Sequence, residues 1–226
     1  TPITVTLPQS AISAAGEGAA TITTTVTDSS GNVSPAITTN VTIDTVAPGT
    51  SPATPASVSV PEATNGISSS EASDGVEVLV TLPSDAVAGD VITVSIDGGT
   101  PVTHTVTAAE VAAISTPITV TLPQSAISAA GEGAATITTT VTDSSGNVSP
   151  AITTNVTIDT VAPGTSPATP ASVSVPEATN GISSSEASDG VEVLVTLPSD
   201  AVAGDVITVS IDGGIAVTHT VTAAEV

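Results

Sequence analysis

The stretch "PEATNGISSSEASDG" at residues 61–75 gathers Glu62, Asn65, Glu71 and Asp74 into one short polar segment, and the same letters return at residues 176–190 as Glu177, Asn180, Glu186 and Asp189. The chain has no lysine and no arginine, and its formal charge is −22. Carboxylates and amide oxygens with no basic partner form the donor set of a hard cation. Calcium takes about six to eight such oxygens from Asp, Glu, Asn, main-chain carbonyls and water, whereas magnesium prefers fewer protein ligands. Zinc and copper do not suit a chain without cysteine and with one histidine per repeat, His104 and His219. The expected ligand is therefore Ca2+, several ions per repeat.

The remaining acids fall in similar punctuated stretches. Asp85 and Asp90 bracket "SDAVAGD", Asp97 opens a "DGG" turn, and Glu132 stands between two glycines. Asp143 and Asn147 belong to "TDSSGN", and Asp159 closes "VTID". Their counterparts are Glu17, Asp28, Asn32 and Asp44 earlier in the chain, and Asp200, Asp205 and Asp212 later. Glu77 and Glu192 lie inside an alternating apolar pattern and read as surface strand residues. His104 and His219 read as exposed strand residues rather than ligands.

The elements that position these residues come in repeats. "TPITVTLPQSAISAAGEGAATITTTVTD" begins at Thr1 and again at Thr116, so the period is 115 residues. Residues 1–111 and 116–226 differ only where Thr100 and Pro101 become Ile215 and Ala216. A period of this length means whole domains in series. The segment "DTVAPGTSPATP", residues 44–55 and again 159–170, is expected to be an extended, stiff linker. That divides the chain into three: 1–48 as the back half of a repeat, 49–163 as a complete repeat, and 164–226 as the front half of the next.

Within the complete repeat, period-2 alternation and turn residues predict seven strands. They are A (56–60), B (76–82), C (91–96), D (102–107), E (117–122), F (135–142) and G (152–159). A helical turn is expected within residues 107–115, and no long helix is expected. Seven short strands in about 110 residues predict an all-β fold of tandem immunoglobulin-like antiparallel sandwiches. The core must come from Val, Ile, Leu and Ala, because Phe, Trp, Tyr and Met are absent. Alternate loops of such a sandwich lie at opposite ends. The A–B loop, the C–D turn with Asp97, the E–F loop with Glu132 and the end of G with Asp159 share one end. The B–C loop with Asp85 and Asp90, the F–G turn with Asp143 and Asn147, and the arriving Asp44 share the other.

The motifs E-x-x-D-G-V, A-G-D, T-D-x-x-G-N and I-D-T-x-A-P, in that order across the whole repeat, resemble the tandem bacterial Ig-like repeats of giant RTX adhesins. The resemblance implies an extender, stiffened by calcium within and between domains, that holds a distal ligand-binding region away from a bacterial surface. It implies an extracellular location, with calcium and neighbouring repeats as partners.

Other classes fare poorly. Without Lys or Arg, nucleic acid and anionic membranes are not expected partners. No apolar run approaches the roughly 20 residues of a membrane span. No leader is visible, so a targeting signal is expected outside this stretch. An enzyme is not expected: no cysteine nucleophile and no Ser–His–Asp arrangement is evident, and no small-molecule substrate is expected. A second reading is a repeated module that binds glycan or protein by avidity. Against it, the chain lacks the Trp and Tyr that usually anchor such contacts.

Overall fold

The computed structural model describes residues 1–50, 52–54, 56–165 and 167–226, which form two units, Thr1–Asp159 and Thr160–Val226. The expected linkers include Ser51, Pro55 and Ser166, which lie outside the described residues.

In the first unit, α1 (Gln9–Ala15) precedes an antiparallel hairpin of β1 (Gly18–Thr24) and β2 (Ile37–Ile43). Then follow β3 (Ser57–Ser59), a 3-10 turn (Pro61–Asn65), α2 (Ser69–Asp74), β4 (Val76–Thr81), β5 (Val91–Ile96) and β6 (Val102–Thr105). The unit ends with α3 (Ala108–Ala112), β7 (Ile118–Leu122), α4 (Gln124–Ala130), β8 (Gly133–Thr142) and β9 (Ile152–Ile158). Strands β3 to β9 form two sheets, ordered β3-β4-β7 and β6-β5-β8-β9. This is an immunoglobulin-like antiparallel sandwich, and each of the seven strands lies within two residues of its expected ends.

Strand D joins the C–F–G sheet, where a constant-type immunoglobulin domain would place it beside E. The turn explains this. Asp97 (φ 47°) and Gly98 (φ 69°) occupy the two central positions of a left-handed turn closed by Gly99 N–H donating to the Ile96 carbonyl at 2.8 Å. Such two-residue turns match strand twist and keep consecutive strands paired, so β6 stays on β5.

The core follows the pleat. β4 alternates buried Val76, Val78 and Val80 with outward residues, and β8 buries Ala135, Ile137, Thr139 and Val141. Ile92, Val94, Val120 and Leu122 fill the space between sheets, and Ile67 and Ile127 close its end from the A–B and E–F connections. Aliphatic residues thus build a core without any aromatic ring.

Those two connections, read from sequence as loops, contain helices. The signal was present at α2: Ser68-x-x-Glu71 is a capping box, with Glu71 N–H on the Ser68 hydroxyl and the Glu71 carboxylate on the Ser68 N–H. Thr107-x-x-Glu110 caps α3 in the same way. Gly75, which ends α2, has φ 93°, and a Cβ there would meet Thr121 Cγ2 at 2.7 Å and the Leu122 carbonyl at 2.9 Å. Only glycine can pass the chain from α2 into β4 this close to β7.

The linker is a second departure. Residues 47–50 make a turn in which Thr50 N–H donates to the Ala47 carbonyl at 3.3 Å, and Pro48 and Gly49 are buried. Gly49 N–H donates to Asp85 Oδ1 at 2.9 Å. The Val-Ala-Pro-Gly segment is therefore a folded clasp on the B–C loop, with its rigidity supplied by a carboxylate as well as by proline.

In the second unit, β10 (Ser172–Ser174) pairs with β11 (Leu194–Thr196), and β12 (Val206–Val209) pairs with β13 (Val217–Thr220). Between β10 and β11 lie a 3-10 turn (Pro176–Asn180) and α5 (Glu186–Asp189). Gly164 N–H donates to both Asp200 oxygens, at 2.8 and 3.1 Å, repeating the linker clasp.

Candidate metal centre

Asp44, Asp85, Asp90 and Asp143 lie towards the end of the sandwich where residues 44–50 arrive, the first, second and fourth within electrostatic reach of Asp90. The turn after β8 sets the frame. Asp143 Oδ1 accepts the Ser145 and Asn147 main-chain N–H groups, both at 2.9 Å, and Oδ2 accepts Asn147 Nδ2 at 2.8 Å. Burial pushes the Asp143 carboxyl up, but these bonds outweigh it and hold the group below its ordinary value. The same turn then reaches across to the end of residues 1–48. Asn147 Nδ2 donates to the Asp44 main-chain carbonyl at 3.1 Å, and Ser145 Oγ donates to Asp44 Oδ2 at 3.0 Å.

Asp90 lies beneath this junction with 1% of its surface exposed. Its Oδ2 accepts the Val87 N–H at 2.9 Å, while Oδ1 is buried without a hydrogen-bond partner. Burial raises its pKa, the Val87 bond lowers it, and the nearby charges of Asp143, Asp85 and Asp44 raise it further. A buried, half-satisfied carboxylate within electrostatic reach of three others is costly unless a cation compensates.

The other expected ligands are placed differently. Glu62 Oε2 accepts the Glu77 N–H at 3.0 Å, Glu71 caps α2, and Asp74 ends that helix. Asn65 ends the preceding 3-10 turn. The A–B carboxylates are thus distributed over separate elements. Asp97 closes the C–D corner by accepting the Thr136 N–H at 2.8 Å. Asp159 N–H donates to the Ile67 carbonyl at 2.9 Å at the far end of β9, and Glu132 stands between α4 and β8. Glu17 accepts the Thr45 N–H at 2.9 Å and the Thr45 hydroxyl. Asp28 and Asn32 repeat the Asp143–Asn147 turn, exposed.

In the second unit, Glu177 accepts the Glu192 N–H at 3.3 Å and Glu186 the Ser183 N–H at 2.6 Å. Asn180 and Asp189 end their helical turns, Asp205 accepts the Val202 N–H at 3.0 Å, and Asp212 takes the positive φ of its turn. Among the described residues, no three His, Asp or Glu side chains converge closely enough, as placed, to hold one metal ion.

His104 is half-buried rather than fully exposed: its Nε2 lies 2.9 Å from Glu110 Oε1. His219 and Glu225 repeat the pair at 3.0 Å. Sequence reading missed this contact, although the spacing His-x5-Glu places a β6 residue beside the first turn of α3. Among the described residues, no helix is long and apolar enough to cross a membrane.

No family model matches the chain, and no curated protein matches it. Among solved structures, it is similar to a Ca2+-stabilized adhesin with which an Antarctic bacterium reaches out and binds ice, at 27% identity and TM-score 0.43, over 93% of this chain and 48% of that one. It is also similar to a 1.5-MDa bacterial ice-binding adhesin studied for cell-surface retention, at 26% identity and TM-score 0.41, over 96% of this chain and 64% of that one. A third is a bacterial immunoglobulin-like domain from the M. primoryensis ice-binding adhesin, at 27% identity and TM-score 0.31, over 46% and 95% of the two chains. The chain thus spans less than two thirds of the first two structures it resembles.

Proposed function

We propose that this chain is a structural extender segment of a bacterial surface adhesin, outside the cell, whose immunoglobulin-like repeats are held rigid by calcium. The observation that carries the reading is Asp90. A buried carboxylate oxygen without a partner, within electrostatic reach of Asp44, Asp85 and Asp143, is a place where a divalent cation would relieve both desolvation and repulsion. The donor set is all oxygen, as calcium prefers. Asp44 belongs to the preceding strand pair, and Asp90 and Asp143 belong to the sandwich, so an ion shared among them would lock the junction. The Asn147–Asp44 contact and the Gly49–Asp85 clasp hold the two partners in place for it. The remaining acidic loops are further calcium positions in this reading, with the divisions 1–48, 49–163 and 164–226 as the repeat boundaries.

Calorimetric titration of the chelated chain with calcium tests it. Saturable binding, weakened by Asp90→Asn, is expected. Binding unchanged in that variant removes the junction site, and no binding at millimolar calcium removes the mechanism. Scattering of the chain with calcium and with EDTA checks the consequence: the maximum dimension is expected to shrink on chelation.

A further inference from the structure

The six asparagines divide by the residue that follows them: Asn32, Asn40, Asn147 and Asn155 precede valine, and Asn65 and Asn180 precede glycine. Those before valine have engaged side chains. Asn32 and Asn147 close their turns on Asp28 and Asp143, and the Asn40 and Asn155 side-chain carbonyls accept the Thr21 and Thr136 hydroxyls at 3.1 and 3.3 Å. Asn65 is exposed, and among the described residues its side chain makes no hydrogen bond.

An asparagine Cγ is open to attack by the main-chain nitrogen of the next residue. A following valine shields that nitrogen with a branched side chain, whereas glycine leaves it bare. Apart from its chain neighbours, a Cβ at Gly66 would have only the Thr157 carbonyl oxygen within 4 Å, at 3.6 Å. The Gly66 N–H donates to the Ala63 carbonyl at 3.4 Å, long for such a bond. Asn65 is the last residue of its 3-10 turn and Gly66 leaves it at φ 97°, so only the final peptide of the turn has to rotate. An Asn-Gly pair alone is ordinary turn chemistry. The free amide, the exposure and the weakly held nitrogen make this one reactive.

We propose that Asn65–Gly66 is a self-modifying site, at which the side-chain amide is lost and part of the main chain is rerouted as isoaspartate. The Gly66 nitrogen bonds to Asn65 Cγ, the Cγ–Nδ2 bond breaks, and the leaving amine takes the Gly66 proton and departs as ammonia. Water then opens the cyclic imide. Opening at Cγ gives aspartate; opening at the main-chain carbonyl gives isoaspartate, with Cβ inserted into the main chain. In sum, water is consumed and ammonia released, with no cofactor and no bound cation required. Asn180–Gly181 repeats the turn, with Gly181 at φ 93°, and is a second such site.

The position gives the reaction a structural consequence. Ile67, the next residue, is fully buried. Its N–H donates to the Thr157 carbonyl at 2.8 Å and its carbonyl accepts the Asp159 N–H at 2.9 Å, a parallel bridge that pins the A–B connection to the end of β9. An extra main-chain carbon directly before this bridge, with a new carboxylate in a chain that has no Lys or Arg, slackens the pin. The end of the sandwich at Asp159 thus loosens as the protein ages.

A glutamate-specific protease separates the sites, because it releases residues 63–71 apart from the Asn-Val pairs, which fall in 18–62 and 133–177. Asn180→Gln changes the mass of the otherwise identical fragment 178–186, so that 63–71 reports Asn65 alone. In the full chain aged at mildly alkaline pH and then cut, 63–71 is expected to pass from the amide to two acids of equal mass, one of them a substrate of isoaspartyl methyltransferase. The conversion should quicken as pH rises, since the attacking nitrogen must lose its proton, while 18–62 and 133–177 stay unchanged. Hydrogen exchange at the Ile67 and Asp159 N–H groups is expected to rise several-fold in the aged chain and not in an aged Asn65→Gln chain. A 63–71 fragment that keeps its amide, or Asn-Val pairs that convert as fast, overturns the site. Conversion with unchanged exchange overturns the loosening.

Discussion

Asn147 Nδ2 donates to the main-chain carbonyl of Asp44 at 3.1 Å, across 103 residues of sequence. The same amide group donates to Asp143 Oδ2 at 2.8 Å, so one side chain both closes its own turn and holds the arriving strand. Asn147→Ala should therefore loosen the junction without unfolding the sandwich. The expected loss in thermal stability is small, about 1 kcal/mol for the hydrogen bonds removed. Hydrogen exchange at residues 44–50 should rise well above that in β8. Unchanged exchange there would show that the Gly49–Asp85 and Ser145–Asp44 bonds hold the junction without Asn147.

Asp90→Asn has opposite effects with and without cation. In chelator, the variant removes a buried charge that has one unpartnered oxygen and three like-charged neighbours. Stability should rise by roughly 1–3 kcal/mol. In saturating calcium the wild type gains binding energy that the variant lacks, and the order should reverse. Denaturant midpoints of both proteins, in EDTA and in calcium, measure this. A variant less stable in both conditions would mean that Asp90 serves the fold alone.

Much of this arrangement was legible in the sequence, and the exceptions have physical causes. Alternation located the strands because β4, β5 and β8 each bury one face against an aliphatic core. The placement of loops at two ends followed from antiparallel order. The helices at 69–74 and 124–130 escaped because Ser, Asp, Gly and Pro punctuation reads as loop, although Ser68-x-x-Glu71 is a cap. The acids were legible as a class but not in role. Asp85, Asp97, Glu62 and Glu71 turn their carboxylates onto backbone N–H groups, and sequence spacing does not separate such a brace from a cation ligand. Asp90 stands apart only through its burial, which arises from packing between loops distant in the chain.

Identical isoleucines supply a direct test of context. Ile137 is fully buried in the sandwich and Ile22 is 38% exposed in the same local sequence. Ile137→Ala should cost about 2–5 kcal/mol, through lost burial and the cavity left behind. Ile22→Ala in the dilute chain should cost well under 1 kcal/mol, as surface changes do. Parallel denaturant melts would show it, and equal losses would mean that residues 1–43 are packed in solution.

The acidic caps predict a pH response. Glu225 accepts the Thr222 N–H and hydroxyl and meets His219, in that order of effect, and its pKa is lowered to about 2. Glu110 is lowered by the same kind of contacts to Thr107 and then by His104. A carboxylate whose folded pKa lies below its unfolded value stabilises the fold above the unfolded value, near 4.5. That contribution fades as pH falls from there towards 2 and is absent below both values. NMR titration should place the Glu225 carboxyl midpoint near 2, and loosening of the Thr222–Glu225 turn should follow the same curve. A midpoint at the ordinary glutamate value would mean that the cap is not formed in solution.

Thr139 closes the argument about the core. It sits at an inward position of β8 between Ile137 and Val141, fully buried, and its hydroxyl has no hydrogen-bond partner. Valine has nearly the same shape and carries no polar atom to desolvate. Thr139→Val should therefore stabilise the sandwich by about 1 kcal/mol or more, since burying an unmet hydroxyl costs roughly 1–3 kcal/mol. The same change at Thr24, its exposed copy, should leave stability nearly unaltered, which controls for β-propensity. Thermal melts of the two variants in calcium decide the matter. If Thr139→Val lowers the midpoint, the hydroxyl is satisfied in solution, by an ordered water or by a shift of β8, and the inward face of that strand is wetter than its aliphatic neighbours imply.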